Sequence, residues 1–162
     1  MVGQVSHEVE VNVVASEAWE IYGTLRLAKV VEEAFSGIIE KVEVIEGDGG
    51  VGTVLKLTFA TGTPGFSSLK EKFTKVDHEK RLKEVQVIEG GYLDVGFTLY
   101  RVRFEIIEKG DDSCIIKTTI EYDIKEEEAA AIATYVNIEP LAKVAELAKA
   151  HLIKNKAAKG DH

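Results

Sequence analysis

The sequence predicts an α+β fold: a seven-stranded, strongly curved antiparallel sheet wrapped around one long C-terminal helix, with two short helices after the first strand. Three observations predict it. Segments of period-two alternation recur from Ile38 to Asp123, short turn signals separate them, and a segment rich in Ala, Glu, Lys and Leu with helical spacing closes the chain. Connections this short join antiparallel neighbours. One helix that must cover the inner face of so many strands is most simply accommodated when the sheet curls around it. A space then remains wherever the inward side chains are too small to meet. The 162 residues suit one domain with a single core, taken as residues 1–162.

VSHEVEVNVV sets Val5, His7, Val9, Val11 and Val13 on one face and Ser6, Glu8, Glu10 and Asn12 on the other, a half-buried first strand. His7, alone among valines, reads as a hydrogen-bonded core residue. Ser16 offers an N-cap and Glu17 a first-turn acid for a short helix carrying Trp19 and Tyr22; a second helical pattern runs through LRLAKVVEEAF and ends at Gly37. The strands IIEKVEVIE, TVLKLTF, SLKEKFTKV, KRLKEVQVIE, FTLYRVRFEIIE and SCIIKTTIEYDI follow, separated by GDGG, TGTPGFS, DHEK, GGYLDVG and KGDD. From about Lys125 to Lys156 the pattern reads as one helix, with apolar positions at Ile132, Tyr135, Val136, Leu141, Val144, Leu147, Ala148 and Leu152 and a kink at Pro140. The basic tail KNKAAK reads as frayed.

A net charge of −8 and a pI near 5.1 argue against a surface built to neutralise phosphates, and so against nucleic acid as a partner. No window approaches the roughly 18 consecutive apolar residues of a membrane span, and the N-terminus lacks a basic region followed by an apolar one, so a cytoplasmic chain is expected, monomeric or a weak homodimer. Cys114 is the single cysteine and sits in an alternating strand, which reads as a small buried apolar residue. No His, Cys or carboxylate cluster has metal-ligand spacing, so neither a metal nor another cofactor is expected.

EGDGGVGT matches the dinucleotide-binding spacing at Gly47, Gly49 and Gly52. That fingerprint needs a helix after its glycines, with its N-terminus facing the phosphates. Here the alternating TVLKLTF follows, so the glycines read as a hairpin requiring positive φ at several positions.

Charges that break the alternation are more informative. In SLKEKFTKV, Glu71 shares a face with Leu69 and Phe73; in KRLKEVQVIE, Lys83 shares a face with Val85 and Val87. For both charges to face inward, Glu71 must pair with Val85 or Val87, which separates them by roughly 7 to 14 Å at about 3.4 Å per residue. A small hydrophobic or aromatic molecule fits between them. Apolar surroundings lower a lysine pKa and raise a carboxyl pKa, bringing both toward neutrality, where each can exchange protons. Snorkelling to water from a sheet edge is the structural alternative. Tyr100, Val102 and Phe104 are further inward candidates on the following strand.

The order of elements, with EGDGGVGT between the second and third strands, resembles the major birch-pollen allergen family, the plant pathogenesis-related class 10 proteins. HEVEV, GDGGVGT, KEKFTKVDHEKRLKEV, VIEGGYLDVG, DSCIIK and IEPLAKVAE are similar to the norcoclaurine synthase branch, and TLRLAKV with DHEKRLKE to the norbelladine synthases within it. The resemblance implies a plant protein whose sheet grips a helix around a hydrophobic cavity. It also implies an alkaloid-forming lyase that condenses a dopamine-like aryl-ethylamine with an aldehyde through an imine or iminium, with or without Pictet-Spengler ring closure. The branch's glutamate and lysine fall on Glu71 and Lys83. Its tyrosine position holds Leu69, with Ser68 beside it where norbelladine synthases carry a tyrosine, and its aspartate position holds Val102. These, with Phe73, Tyr100 and Phe104, are the substrate-binding candidates. The alternative within the same fold is a non-catalytic carrier or receptor for hormones such as cytokinins or abscisic acid-like molecules, or for other hydrophobic metabolites of plant defence.

Overall fold

The computed structural model describes residues 2–63 and 65–160. Strands β1 (Val2–Val11), β2 (Ile39–Glu46), β3 (Val54–Phe59), β4 (Ser68–Asp77), β5 (Leu82–Gly90), β6 (Phe97–Glu108) and β7 (Cys114–Ile124) form one antiparallel sheet in the order β1-β7-β6-β5-β4-β3-β2. Consecutive strands from β2 to β7 are neighbours, as their short connections require. Helices α1 (Ala15–Tyr22) and α2 (Arg26–Ala34) bridge β1 and β2, the two edges of the sheet. A four-residue helix, α3 (Tyr92–Val95), lies between β5 and β6. Helix α4 (Ala129–Ile132) sits among 3-10 turns, and α5 (Glu139–Gly160) crosses the inner face of the sheet. No helix among the described residues is long and apolar enough to cross a membrane.

Alternation decides which residues meet α5. Val11, Ile106, Cys114 and Ile116 from the sheet pack with Val144, Ala145, Ala148 and Leu152 of α5 and with Trp19, Ile21 and Tyr22 of α1. A second apolar group, holding Leu69, Val87, Phe97, Tyr100, Ile120, Ile124 and Ile132, fills the other end of the sheet. Cys114 is fully buried, and burial pushes its thiol pKa up, as befits a core residue.

Several local expectations are corrected. The C-terminal segment is not one kinked helix from Lys125. The regular helix starts at Glu139, because Pro140 has no N–H to donate to a preceding turn and disfavours helical geometry in the residue before it. Asn137 Oδ1 accepts the Glu139 N–H at 3.0 Å, satisfying a donor that the helix start exposes. Ile132 and Tyr135 therefore join the second apolar group by way of short turns rather than continuing α5. The basic tail is not frayed: α5 runs through it, with Lys156 Nζ donating to the Asn12 carbonyl at 2.6 Å and Lys159 paired with Glu17 at 2.9 Å. Helix α1 begins at Ala15 without a side-chain cap from Ser16. His7 lies half-buried on the inward face, yet its buried Nδ1 has no hydrogen-bond partner among the described residues. Pro64, in the TGTPGFS turn, lies outside the described residues.

The glycine loop joins β2 to β3, and Gly47, Gly49 and Gly52 all have φ between 90° and 110°. A Cβ on Gly47 would come within 2.7 Å of the Thr53 backbone. The Gly49 N–H binds Thr53 Oγ1 at 2.9 Å, while Gly52 N–H donates to the Phe73 carbonyl and Phe73 N–H to the Thr53 carbonyl, at 2.9 and 2.8 Å. Its polar groups are engaged within the fold, and β3 rather than a helix follows it.

GGYLDVG, read from sequence as a plain turn, contains α3 because Gly91 (φ 53°, ψ −122°) and Gly96 (φ 127°) bracket one helical turn in conformations that favour glycine. A Cβ on Gly91 would stand 2.7 Å from Leu69 Cβ. Gly91→Ala is therefore expected to lower unfolding free energy by about 2 kcal/mol or more through strain and collision together. Denaturant titration would show this as a lower midpoint with an unchanged slope.

Candidate active site

Between sheet and helices lies a cavity of about 330 Å³, the low end of the range for small-molecule sites. Its floor comes from the inward positions of β2 to β6, its roof from α2, the residue after it and the start of α5, including Ala28, Val31, Phe35, Pro140 and Leu141. The wall is mostly apolar. Ile38, Asn137 and Pro140 line it and are also exposed, which places its opening between the α2–β2 turn and the first turn of α5.

Register arranges the inward side chains in rows across the floor. Leu55 pairs with Glu71 and Glu71 with Val87; Phe73 pairs with Val85 and Val85 with Val102; Val76 pairs with Lys83 and Lys83 with Phe104. In the β4–β5 pairing an irregularity between Lys70 and Glu71 sets Glu71 opposite Val87, and a second between Phe73 and Lys75 sets Val76 opposite Lys83. Of the two pairings that alternation allowed, the one with Val87 occurs. Glu71 and Lys83 thus face one cavity, two inward rows apart, roughly 13 Å along the backbone. Phe73, Val85 and Val102 form the row between them.

Lys83 is 2% exposed. Its Nζ stands 4.2 Å from the centroid of the Phe73 ring and 6.0 Å from that of Phe104, so aromatic faces replace part of the ammonium's lost hydration. Burial lowers its pKa to about 8, against the opposing influence of the Glu71 charge. Burial raises the Glu71 pKa to about 7, against that of the Lys83 charge. Desolvation wins in both cases, so each group exchanges protons near neutral pH. Such a pair can hold an acid and a base together on one ligand.

Of the residues singled out from sequence, Lys83, Glu71, Leu69, Phe73, Tyr100, Val102 and Phe104 all line the cavity. Ser68 is the exception: alternation turns it to the opposite face from Leu69, it is not among the lining residues, and its carbonyl accepts the Gly91 N–H at 3.0 Å. Tyr92 was missed. Its ring stacks on that of Tyr100 with centroids 3.7 Å apart and planes 2° from parallel, and both phenols line the cavity. Burial raises the pKa of both phenols and keeps them protonated; the hydrogen bond between them pulls Tyr92 down and pushes Tyr100 further up, and the Glu71 charge raises both. A tyrosine in a glycine-bounded turn carries no periodicity, so only the unusual glycine pair before it could have flagged the position. Among the described residues no group of His, Cys, Asp and Glu could hold a metal ion.

Comparison with known proteins agrees with the fold. The chain is 48% identical to norbelladine synthase from Narcissus pseudonarcissus over 97% of its own length and 96% of that protein's. It is 42% identical to S-norcoclaurine synthase 1 from Papaver somniferum over 94% of its length and 66% of that protein's. The X-ray structure of norcoclaurine synthase from Thalictrum flavum in complex with dopamine and hydroxybenzaldehyde superposes with a TM-score of 0.85 at 40% identity, covering 95% of this chain and 88% of that one. The model of the pathogenesis-related protein Bet v 1 family matches residues 1–155. A sheet closed on a helix around an ionisable cavity, with this similarity along nearly its whole length, makes the chain a member of the Bet v 1 family.

Proposed function

We propose that the protein is an enzyme condensing a dopamine-like aryl-ethylamine with an aldehyde through an imine or iminium. The observation that carries the reading is the placement of Lys83 and Glu71 on one enclosed wall with pKa values near 8 and 7. The kinship with norbelladine and norcoclaurine synthases supports it. The amine nitrogen attacks the carbonyl carbon to give a carbinolamine. The Lys83 ammonium then gives a proton to the departing hydroxyl, water leaves, and the C=N bond forms. One amine and one aldehyde yield one imine and one water; the iminium proton passes to solvent as Lys83 regains its own from solvent, so no proton is gained or lost overall. Where the ring closes, Glu71 as carboxylate accepts a proton from the catechol or from the aromatic carbon.

Leu69 and Val102 put apolar surface on the same wall. That surface weakens the orientation of polar rings and favours imine formation over demanding ring closure. It also favours the second reading, a carrier of hydrophobic metabolites or hormones, which needs the cavity but not the ionisable pair. Each chain holds the whole set of groups, so a monomer suffices for either activity.

The purified protein mixed with dopamine and 3,4-dihydroxybenzaldehyde or 4-hydroxyphenylacetaldehyde, with a reductant to trap imine, decides between the readings. Lys83→Ala is expected to lower the rate by about 100-fold or more, in the range for a lost general acid. Equal product from wild type and Lys83→Ala would leave only the carrier.

The pH profile is a separate check. In the ring-closing reaction, where both groups act, Glu71 must be ionised, which requires a pH above about 7, and Lys83 must be protonated, which requires a pH below about 8. The profile of kcat/KM should therefore be a narrow bell centred between those values. Glu71→Gln should remove its acidic limb along with most of the rate, whereas a profile flat from pH 6 to 9 would exclude this pair from the chemistry.

A further inference from the structure

Lys83 differs from other lysines of the chain in what surrounds its nitrogen. Lys70, Lys109 and Lys159 are partly exposed and pair with Glu89, Glu10 and Glu17 at 3.1, 2.8 and 2.9 Å. Among the described residues Lys83 has no ion pair and no side-chain hydrogen bond; the rings of Phe73 and Phe104 are what stands over its Nζ. The residue lines an enclosed apolar cavity, so when the nitrogen is neutral its lone pair is committed to no neighbour.

An amine in that state is a nucleophile. Desolvation in an apolar pocket is one of the ways in which a lysine is activated toward a carbonyl carbon. Burial brings the Lys83 pKa down to about 8, so near neutral pH far more of it is uncharged than of an ordinary lysine with a pKa of about 10.4. The condensation uses the ammonium; the neutral form is idle in it.

The cavity suits the product of such an attack as well. A Schiff base made from an aromatic aldehyde is largely apolar, and Val85, Val102 and Phe104 offer surface to its ring. Once protonated, it carries its positive charge where the ammonium stood, 4.2 Å from the centroid of the Phe73 ring. Apolar walls also limit the water that would hydrolyse the C=N bond.

We propose that Lys83 is a covalent capture site for aromatic aldehydes, forming a Schiff base with them when no amine substrate is present. The neutral Nζ attacks the carbonyl carbon to give a carbinolamine. The C–O bond then breaks, and the two protons of the nitrogen leave with the oxygen as water. One lysine and one aldehyde give one Schiff base and one water, with no change in oxidation state. The inference rests on the condensation reading for the class of ligand, the aldehyde, while capture itself needs neither an amine nor ring closure.

Incubating the protein with benzaldehyde and sodium cyanoborohydride, with no amine added, tests it, because the hydride turns a Schiff base into a stable benzylamine. Peptide mapping by mass spectrometry should find Lys83 labelled at least about 10-fold faster than the exposed lysines, which serve as the internal reference. Lys83→Met should lose that label and keep the labelling of the exposed lysines, with circular dichroism checking its fold. The site is assigned on the wild-type chain, so an unstable variant does not remove the test. Labelling of Lys83 no faster than that of exposed lysines, or no label on it, overturns the capture site. Product from dopamine in the trapping assay without a Lys83 label keeps the condensation and removes the capture. A Lys83 label without such product does the reverse.

Discussion

The desolvation of one lysine and one glutamate on the inner face of a β-sheet is the constraint on which the rest of the site depends. Inside a cavity with apolar walls neither charge recovers its hydration, and each is sustained partly by the other and, for Lys83, by the face of Phe73. An ordinary core would fill such positions with aliphatic side chains at a gain in stability. Keeping them ionisable is a cost that makes sense in a fold whose helix does not close fully on its sheet. The gap beneath α2 and α5 is where a ligand can use the two groups.

The sheet makes this arrangement possible because alternation is rigid. Once Leu69 and Phe73 face inward, Glu71 must as well; once Val85 and Val87 do, Lys83 follows. The irregularities between β4 and β5 set how far apart the charges lie, and the chosen pairing leaves room for a ring over Phe73, Val85 and Val102. Substrate orientation then falls to the groups at either end of that floor. A wall in which Leu69 and Val102 are apolar leaves fewer handles for holding a polar ring.

Much of this was legible from the chain itself. The strands, their antiparallel order and the inward placement of Glu71 and Lys83 follow from period-two patterns, because a half-buried strand writes its burial directly into alternate residues. What resisted reading was irregular. Proline and the asparagine three residues before it broke the C-terminal helical pattern, although the apolar spacing continued through the break. Ser68 entered through the resemblance, standing beside Leu69 where norbelladine synthases carry a tyrosine, whereas the pleat turns adjacent residues to opposite faces. Tyr92 reaches the cavity from a helical turn made possible by backbone conformations at Gly91 and Gly96, and no hydrophobic period encodes those. The two choices left open for the β4–β5 register were also beyond pattern alone, since both keep the same faces inward.

The glycine loop has a further consequence for how such a cavity can change. It holds Phe73 through both of that residue's backbone hydrogen-bonding groups, from outside the cavity. The ring beneath the Lys83 ammonium is therefore anchored by a connection outside the cavity lining, and the position of that ring does not rely on residues such as Leu69 and Val102. Side chains such as those at 69 and 102 can then drift in size and polarity, altering what the cavity admits, while the seat of its proton donor remains where it was.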